Sequence, residues 1–287
     1  MHALTAQSAL DLVAAPTVGA DLSAPALPHA MAVFAHPDDE VVSIGSRLPR
    51  LRDAVFVHVT DGAPRNESDA RAHGFDGYRS YAAARRDELH AAIALAGIEP
   101  GQLLELDCPD QEASLHLVEI TRRLVELLAG RCPAMLLTHP YEGGHPDHDA
   151  TAFAVHAACR LLDMRGQKPP PIIEASSYHN GPSGIQVYCF LPAQSGTECG
   201  RSIAIKLTPA ERDLKRRMLD CFVSQRESLS YFPPEVECYR AGSRFDFTAP
   251  PHGGTLFYEN HPWGMTGEKF RGLVREAQQE LGLEGVM

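Results

Sequence analysis

The sequence FAHPDDE at residues 34–40 closes an apolar run that begins at Ala30, and a helical pattern follows from Val41. The apolar run predicts a buried strand. Polar side chains after such a strand lie at the carboxyl edge of a sheet, where open α/β folds place their sites. Residues three apart share one side of a first helical turn, so His36 and Asp39 can converge on one point, with Asp38 beside them. The stretch therefore predicts two metal ligands and a spare carboxylate at a sheet edge.

The same acidic residues have a second interpretation. The dipole of a helix favours carboxylates at its N-terminus, which would account for Asp38, Asp39 and Glu40 without any chemistry. Residues 34–40 alone leave both interpretations open.

A second stretch, THPYEGGHPDHD at residues 138–149, favours the metal site. It too follows an apolar run and precedes a helical pattern. His145 and His148 are three apart, so one can bind a metal while the other takes part in catalysis. Two imidazoles and one carboxylate, with a fourth position left to water, form the ligand set of a catalytic zinc site, whereas structural zinc has four protein ligands and usually cysteines.

With both stretches, the sequence resembles the PIG-L/LmbE-like zinc-dependent N-deacetylases, which remove acyl groups from amino sugars and related amides. The motifs AHPDDE at residues 35–40 and HPDH at residues 145–148 carry the resemblance. Weaker agreements are VTDG at residues 59–62, RRDEL at residues 85–89, and Ser224-Gln225. Two motifs in the family's order are far more specific than either alone.

The resemblance implies a role for each matching residue. His36, Asp39 and His148 fall on the family's metal-ligand positions. Asp38 falls on the general base, which would accept a proton from a metal-activated water. His145 falls on the second catalytic position, where an imidazolium would stabilise the oxyanion. An exchange of roles between His145 and His148 keeps the same chemistry, but the resemblance favours the first assignment.

Two further residues have supporting roles in this interpretation. Asp147 could hold the ring of His145, since carboxylates commonly orient catalytic histidines. Arg85 matches an arginine that is associated with substrate contacts, and its planar guanidinium suits sugar hydroxyls or a carboxylate. The alternative for Arg85 is an ordinary ion pair with Glu88 or Asp61.

The ligand types and the resemblance imply one Zn²⁺ per chain. Two histidines and an aspartate with water also suit Fe²⁺ or another divalent ion, and affinity order alone does not decide which is bound.

The net charge, the cysteine count and the lengths of the apolar runs restrict the binding partners and the cellular compartment that we expect. The formal net charge is −11, which disfavours nucleic acid and anionic membranes as partners, although the charge can also serve solubility alone. Seven cysteines, without a Cys-x-x-Cys pair, argue against a disulfide framework and suggest a reducing compartment. No apolar run reaches the length of a membrane span, and residues 1–29 read poorly as a secretory signal. We expect a cytoplasmic protein with a small-molecule substrate, and a homo-oligomer is compatible with the sequence.

The order of apolar runs and helical patterns predicts a Rossmann-like α/β fold, with a mostly parallel sheet flanked by helices. Strands are expected near residues 53–60, 102–107 and 134–138, and a strand at 185–191 is expected outside the main sheet. Residues 64–77 read as a loop after a turn at Asp61-Gly62. We expect residues 1–29 to be an N-terminal extension and residues 30–287 a single deacetylase domain, with a loop-rich cap at about residues 226–267.

The predicted cap matches nothing in the family pattern. His252, His261 and Trp263 could line a sugar subsite, or they could pack a loop or a subunit interface. Gly143 stands where some relatives carry a larger residue that covers the substrate, so a lid at this position is in doubt.

Three functions are compatible with these observations. The leading one is a metal-dependent hydrolase that removes an acetyl group from an N-acetylglucosamine-type amino sugar or glycoconjugate. A second is an amidase for a thiol conjugate or an acylated natural-product intermediate, because loops on a fixed scaffold set specificity. A third is a non-catalytic metal- or nucleotide-binding protein on the same fold.

Overall fold

A central sheet of mixed direction forms the middle layer of the protein. The computed structural model describes residues 4–16, 26–192 and 200–287. In these residues the strands are β1 Ala30–Phe34, β2 Val55–Pro64, β3 Leu103–Asp110, β4 Met135–Thr138, β5 Ile172–Ala175, β6 Tyr178–Gly181, β7 Gly184–Val187, β8 Ser202–Lys206 and β9 Val236–Ala241. The α-helices are α1 Ala6–Ala14, α2 Asp39–Ile44, α3 Ser68–Ala72, α4 Tyr78–Ala94, α5 Leu117–Arg131, α6 Pro146–Met164, α7 Pro209–Leu219, α8 Arg226–Leu229 and α9 Gly267–Leu281.

The described strands form one large sheet and one hairpin. The large sheet has seven strands in the order β3-β2-β1-β4-β5-β9-β8. The first five are parallel, and β9 pairs antiparallel with both β5 and β8. The strands β6 and β7 pair only with each other. The predicted α/β sheet is therefore confirmed, as is a strand outside it near residue 185.

Two helical layers cover the sheet because its strands are apolar on both faces. In β1, Met31 and Val33 join a core cluster with α5, α6 and α9, whereas Ala32 and Phe34 join a cluster with α1, α2, α4 and α7. Successive side chains of a strand point to opposite faces, so an entirely buried run such as β1 requires cover on each side. Polar side chains are then left for the strand ends, where the site lies.

Helix starts follow local sequence signals. Thr208 forms a capping box with Glu211, and Pro209 occupies the first turn of α7, as the sequence predicted. Pro146 similarly occupies the first turn of α6, so this helix begins directly after His145. The second sequence motif is therefore fixed to a helix N-terminus.

Several elements differ from the sequence-based expectation. β2 continues through Asp61-Gly62 to Pro64, with register irregularities against β3, and the predicted loop at residues 64–77 contains α3. Residues 226–267 contain β9, a central strand that sequence analysis missed. By contrast, α1 lies within the predicted N-terminal extension at residues 1–29, and its Leu10 is buried in the core. The domain boundary at residue 30 stays a prediction. Six cysteines of the described residues are free, and Cys199 lies outside the described residues. No helix in residues 4–16, 26–192 and 200–287 is long and apolar enough to cross a membrane.

A buried ion pair fastens α7 to β9. Lys215 and Glu237 have fully buried side chains, and Nζ of Lys215 donates to Oε1 of Glu237 at 2.9 Å and to the Val42 carbonyl at 2.7 Å. The Glu237 carboxylate also accepts from Ser46 and from the Tyr239 hydroxyl. Buried charges persist when every hydrogen-bonding group is satisfied, as here.

We expect Lys215→Met to lower the free energy of unfolding by about 3–5 kcal/mol, because it leaves the Glu237 carboxylate buried and without its cation. Lys168→Met is the matched control, since Lys168 is exposed, and it should change stability by less than about 0.5 kcal/mol. Urea denaturation measures both. Equal effects of the two substitutions would contradict this account of the pair.

Candidate active site

The motif residues meet at the carboxyl ends of neighbouring parallel strands. β1 and β4 pair directly, and β3 lies two strands away on the other side of β1. His36 follows β1 by two residues, Asp110 ends β3, and the His145–His148 motif follows β4. All of these ends face the same edge of the sheet, which is the usual site location in open α/β folds.

Asp39 joins the two histidines of the predicted metal site. Its Oδ2 lies 3.1 Å from Nδ1 of His36, and its Oδ1 lies 3.1 Å from Nε2 of His148. All three side chains are buried, and their ligand atoms lie within 4.8 Å of one another. Two imidazole nitrogens and one carboxylate fit a divalent ion that keeps open positions. The residues present therefore suit a catalytic metal.

Two carboxylates orient His36 from behind. Its Nε2 lies 3.1 Å from Oδ1 of Asp110 and 3.3 Å from Oδ2 of Asp147, so a proton on Nε2 would leave Nδ1 for the metal. Burial alone would lower the pKa of His36, but the charges of Asp110 and Asp39 raise it well above its ordinary value. Sequence analysis missed Asp110, although a Pro-Asp pair just after a predicted strand was a usable signal.

His139 is a second residue that the sequence motifs did not identify. It is fully buried after β4, its ring stacks on that of His148 at 3.9 Å, and its Nε2 accepts from the Ala35 N–H at 3.1 Å. Burial and the neighbouring His148 lower its pKa to about 3, so the ring is neutral. His139 thus braces His148 and ties β4 to β1.

Asp38 is paired with Arg85 and does not cap a helix. Nη2 of Arg85 donates to Oδ2 of Asp38 at 2.7 Å, and Nη1 donates to the Gly62 carbonyl at 2.6 Å. No side-chain capping bond forms at Asp38 within the described residues, whereas Asp39 and Glu40 do lie in the first turn of α2, where the helix dipole favours carboxylates. Burial raises the pKa of Asp38 to about 6, and the Arg85 charge opposes that rise.

The ion pairs suggested as alternatives for Arg85 are absent from the described residues. Asp61 pairs with Arg65 at 2.7 Å, and Glu88 accepts from the N–H and hydroxyl of Ser224. Arg85 also lines a cavity that opens beside these motifs. Its contact with a substrate stays a prediction.

Gly62 makes the position of Arg85 possible. Its φ is +67°, and a Cβ there would lie 2.4 Å from Nη1 of Arg85. The sequence suggested a turn at Asp61-Gly62, but these residues form an irregular part of β2. This irregularity places the Gly62 carbonyl beside the Arg85 guanidinium.

Asp147 and His145 interact differently from the sequence prediction. Oδ2 of Asp147 is 3.8 Å from Nδ1 of His145, too long for a hydrogen bond. The Asp147 carboxylate instead accepts from the N–H groups of Gln111 and Ala113, and its own N–H donates to Nδ1 of His145 at 3.2 Å. The backbone of Asp147 therefore orients His145, while its carboxylate faces His36.

Residues 31–159 match the family model of PIG-L, the GlcNAc-PI de-N-acetylases. These residues form a PIG-L domain. The matched range contains both histidine motifs, Arg85 and Asp110. No curated protein sequence matches the chain.

Solved structures share the fold of this chain. A deacetylase triple mutant from the teicoplanin biosynthetic pathway has 17% identity and a TM-score of 0.58, and the match covers 76% of this chain and 99% of that one. The A40926 pseudoaglycone deacetylase Dbv21 has 20% identity and a TM-score of 0.57, with 75% and 96% covered. The likeness shows that this chain shares its fold with those structures.

A cavity of about 260 Å³ opens beside the PIG-L motifs. Residues from outside the matched range line much of it, including His261 and Trp263 from the loop before α9. His252 is not among the cavity-lining residues in the described chain. Ser224 bonds to Glu88 and Gln225 bonds to the Tyr81 hydroxyl, so these two residues hold the region of α8 against α4.

The loop before His145 approaches the hairpin closely. A Cβ at Gly144 would lie 2.2 Å from the Tyr178 carbonyl oxygen, and the Gly143 carbonyl accepts from the Phe257 N–H at 2.8 Å. A side chain at Gly144 cannot be accommodated unless the backbone moves. The loop therefore acts as a fixed support for His145. At Gly143, where a lid was in doubt from the sequence, φ is +71° and a Cβ would lie 2.7 Å from Cδ2 of Leu256, so a larger residue is disfavoured there too.

We expect Gly144→Ala to lower the free energy of unfolding by about 1–3 kcal/mol, because the new methyl group collides with a backbone oxygen. Gly253→Ala is the control, since a Cβ at Gly253 meets nothing within 4 Å. Thermal or urea unfolding compares the two variants. A Gly144→Ala protein as stable as Gly253→Ala would show that the loop relaxes freely.

Proposed function

We propose that this chain is a metal-dependent N-deacetylase acting on an N-acetylglucosamine-type amino sugar or glycoconjugate. One observation supports it most: a buried His-Asp-His set and a second carboxylate, Asp38, face one cavity together with His145. The PIG-L match over residues 31–159 and the fold shared with deacetylases agree with this chemistry.

The metal would be held by His36, Asp39 and His148. Zinc is our proposal, with Fe²⁺ as the second candidate, because imidazole and carboxylate ligands suit both. A bound ion would act as a Lewis acid, which polarises the amide carbonyl and activates water for attack.

Asp38 accepts the proton of the attacking water in this proposal. A pKa near 6 places this base close to neutral pH, where a general base is most effective. Arg85 fixes the carboxylate from one side, so the other oxygen is left for the water. Arg85 is thus first a positioning residue for the base, and substrate contact is a further proposed role.

In this proposal His145 serves the oxyanion. The sequence suggested an imidazolium, but burial lowers the pKa of His145 well below its ordinary value, so the ring is neutral. Because Nδ1 accepts from the Asp147 N–H, the ring proton lies on Nε2. We propose that this N–H stabilises the negative charge that develops on the carbonyl oxygen.

We also propose that residues 30–287 act as one deacetylase domain. β8 and β9, near the C-terminus, lie in the same sheet as β1, and the loop before α9 lines the same cavity as His36. The substrate in this proposal is a small acylated amine.

We expect Asp38→Asn to lower the rate of acetate release from N-acetylglucosamine by about 10²–10⁴-fold, since the amide cannot accept the proton. The stoichiometry of bound zinc, measured on the same sample by elemental analysis, should stay at wild-type level. Asp53→Asn, at an exposed position, is the control and should keep wild-type activity. Full activity in Asp38→Asn would remove Asp38 from the mechanism.

We expect Asp39→Ala to abolish stoichiometric zinc binding, because Asp39 contacts both ligand histidines. Equilibrium dialysis with Zn²⁺ followed by metal analysis tests this without any substrate. Asp53→Ala should bind metal as the wild type does. Retention of one tightly bound zinc per chain in Asp39→Ala would place the metal elsewhere.

A further inference from the structure

One side of the active-site cavity is a continuous wall of aromatic rings. Ring centroids are 4.3 Å apart between Trp263 and His261, 4.8 Å between His261 and Phe257, 5.1 Å between Phe257 and Tyr178, and 5.7 Å between Tyr178 and Phe232. All five residues line the cavity. We call these five residues the aromatic wall.

The aromatic wall begins at the reacting groups. Trp263 lies 4.5 Å from the ring of His145, and Tyr178 lies 5.5 Å from the ring of His148. A group that extends along this side of the cavity from an amide bound between these histidines therefore meets aromatic ring surface. The wall continues to the cavity mouth, where Tyr231 is 58% exposed and also lines the cavity.

The structure holds the wall in place before any substrate binds. The Phe257 N–H donates to the Gly143 carbonyl, and the Asn180 amide donates to the Thr255 carbonyl at 2.8 Å. Tyr258 and Met265, within the same loop, are buried in the core. A preformed apolar surface costs little ordering on binding, so it favours ligands that cover it.

The charges in the cavity disfavour an anionic substrate. Among the described residues that line it, Arg85 is the single lysine or arginine, and its two amino groups are engaged by Asp38 and the Gly62 carbonyl. Asp69 and Asp110 add carboxylates to the same lining. Away from the proposed metal, a phosphate or carboxylate on the substrate would therefore meet carboxylates, and among the described lining residues it would meet no lysine or arginine other than Arg85.

Given the proposed deacetylase function, we infer that the substrate is an uncharged N-acylated amino sugar that carries an apolar group, which lies on the aromatic wall and Tyr231. A cavity of about 260 Å³ is just below the usual range for small-molecule sites, so it encloses about one sugar ring and leaves the apolar group at the mouth. The apolar group can be an aglycone or a long acyl chain, and the experiment separates the two.

The zinc-loaded full chain should be assayed for kcat/KM on four substrates. They are N-acetylglucosamine, its phenyl β-glycoside, its 1-phosphate, and N-octanoylglucosamine. We expect the phenyl glycoside or the N-octanoyl compound to exceed N-acetylglucosamine about tenfold or more, because covering the wall buries apolar surface. The preferred compound identifies where the apolar group is attached. The 1-phosphate should fall below N-acetylglucosamine.

Tyr231→Ala should reduce the preference for the apolar substrate about threefold or more. The readout is the ratio of two kcat/KM values, which does not depend on the fraction of folded enzyme. Val223→Ala is the matched control: Val223 is 60% exposed but does not line the cavity, so the ratio should keep its wild-type value. An unchanged ratio in Tyr231→Ala would remove Tyr231 from the subsite and contradict the inference.

Two results overturn the inference while leaving the deacetylase proposal intact. One is acetate release from all the acetylated substrates with less than about threefold preference for an apolar group. The other is deacetylation of the 1-phosphate with a kcat/KM as high as that of the apolar compounds.

Binding provides a readout that is independent of catalysis. Trp263 is the single tryptophan of the chain, so its fluorescence reports on the wall. Phenyl β-glucosaminide should change this fluorescence at a concentration at least about tenfold lower than glucosamine 1-phosphate does. If no substrate is hydrolysed but this difference holds, the deacetylase proposal fails and the apolar subsite stands. If the two ligands bind equally, the subsite fails.

Discussion

The Asp39 carboxylate is the contact on which the site depends. It reaches both His36, after β1, and His148, in the first turn of α6, and so it joins the two stretches that carry the chemistry. His139, stacked on His148, bonds to the backbone of β1. A charge buried this deeply is tolerated because three imidazole rings surround it, and a cation would complete its neutralisation. The same carboxylate thus sets the spacing between a strand end and a helix start.

A second layer of contacts fixes the orientation of these groups. Asp110 and Asp147 face one nitrogen of His36, and Arg85 links Asp38 to the irregular end of β2. His36 and Asp38 are therefore each tied to other strand ends, whereas His145 is held by the backbone of its own motif. Precision in such a site comes from these supports as much as from the ligands themselves.

The sequence predicted what depends on local spacing. The strand ends, the convergence of His36 with Asp39, and the cap of α7 at Thr208 all follow from short-range patterns. Arg85 pairs with Asp38 across 47 residues, and Asp110 meets His36 across 74 residues, so only the folded sheet brings them together. β9 was missed because VECYRA at residues 236–241 mixes charged and apolar side chains, and its Glu237 and Arg240 are buried by ion pairs that no local pattern signals.

The position of β9 has a consequence for how the chain is made. This strand, starting at residue 236, lies between β5 and β8, and α1, at the very beginning of the described chain, packs against it. As the chain is synthesised, residues 6–14 must wait for more than two hundred others before the part of their partner surface that β9 supplies exists. Contacts so distant in sequence form late and slow the search for the native state. During synthesis there is therefore a stage in which the PIG-L motifs are complete while one side of β5 is still an unpaired strand edge.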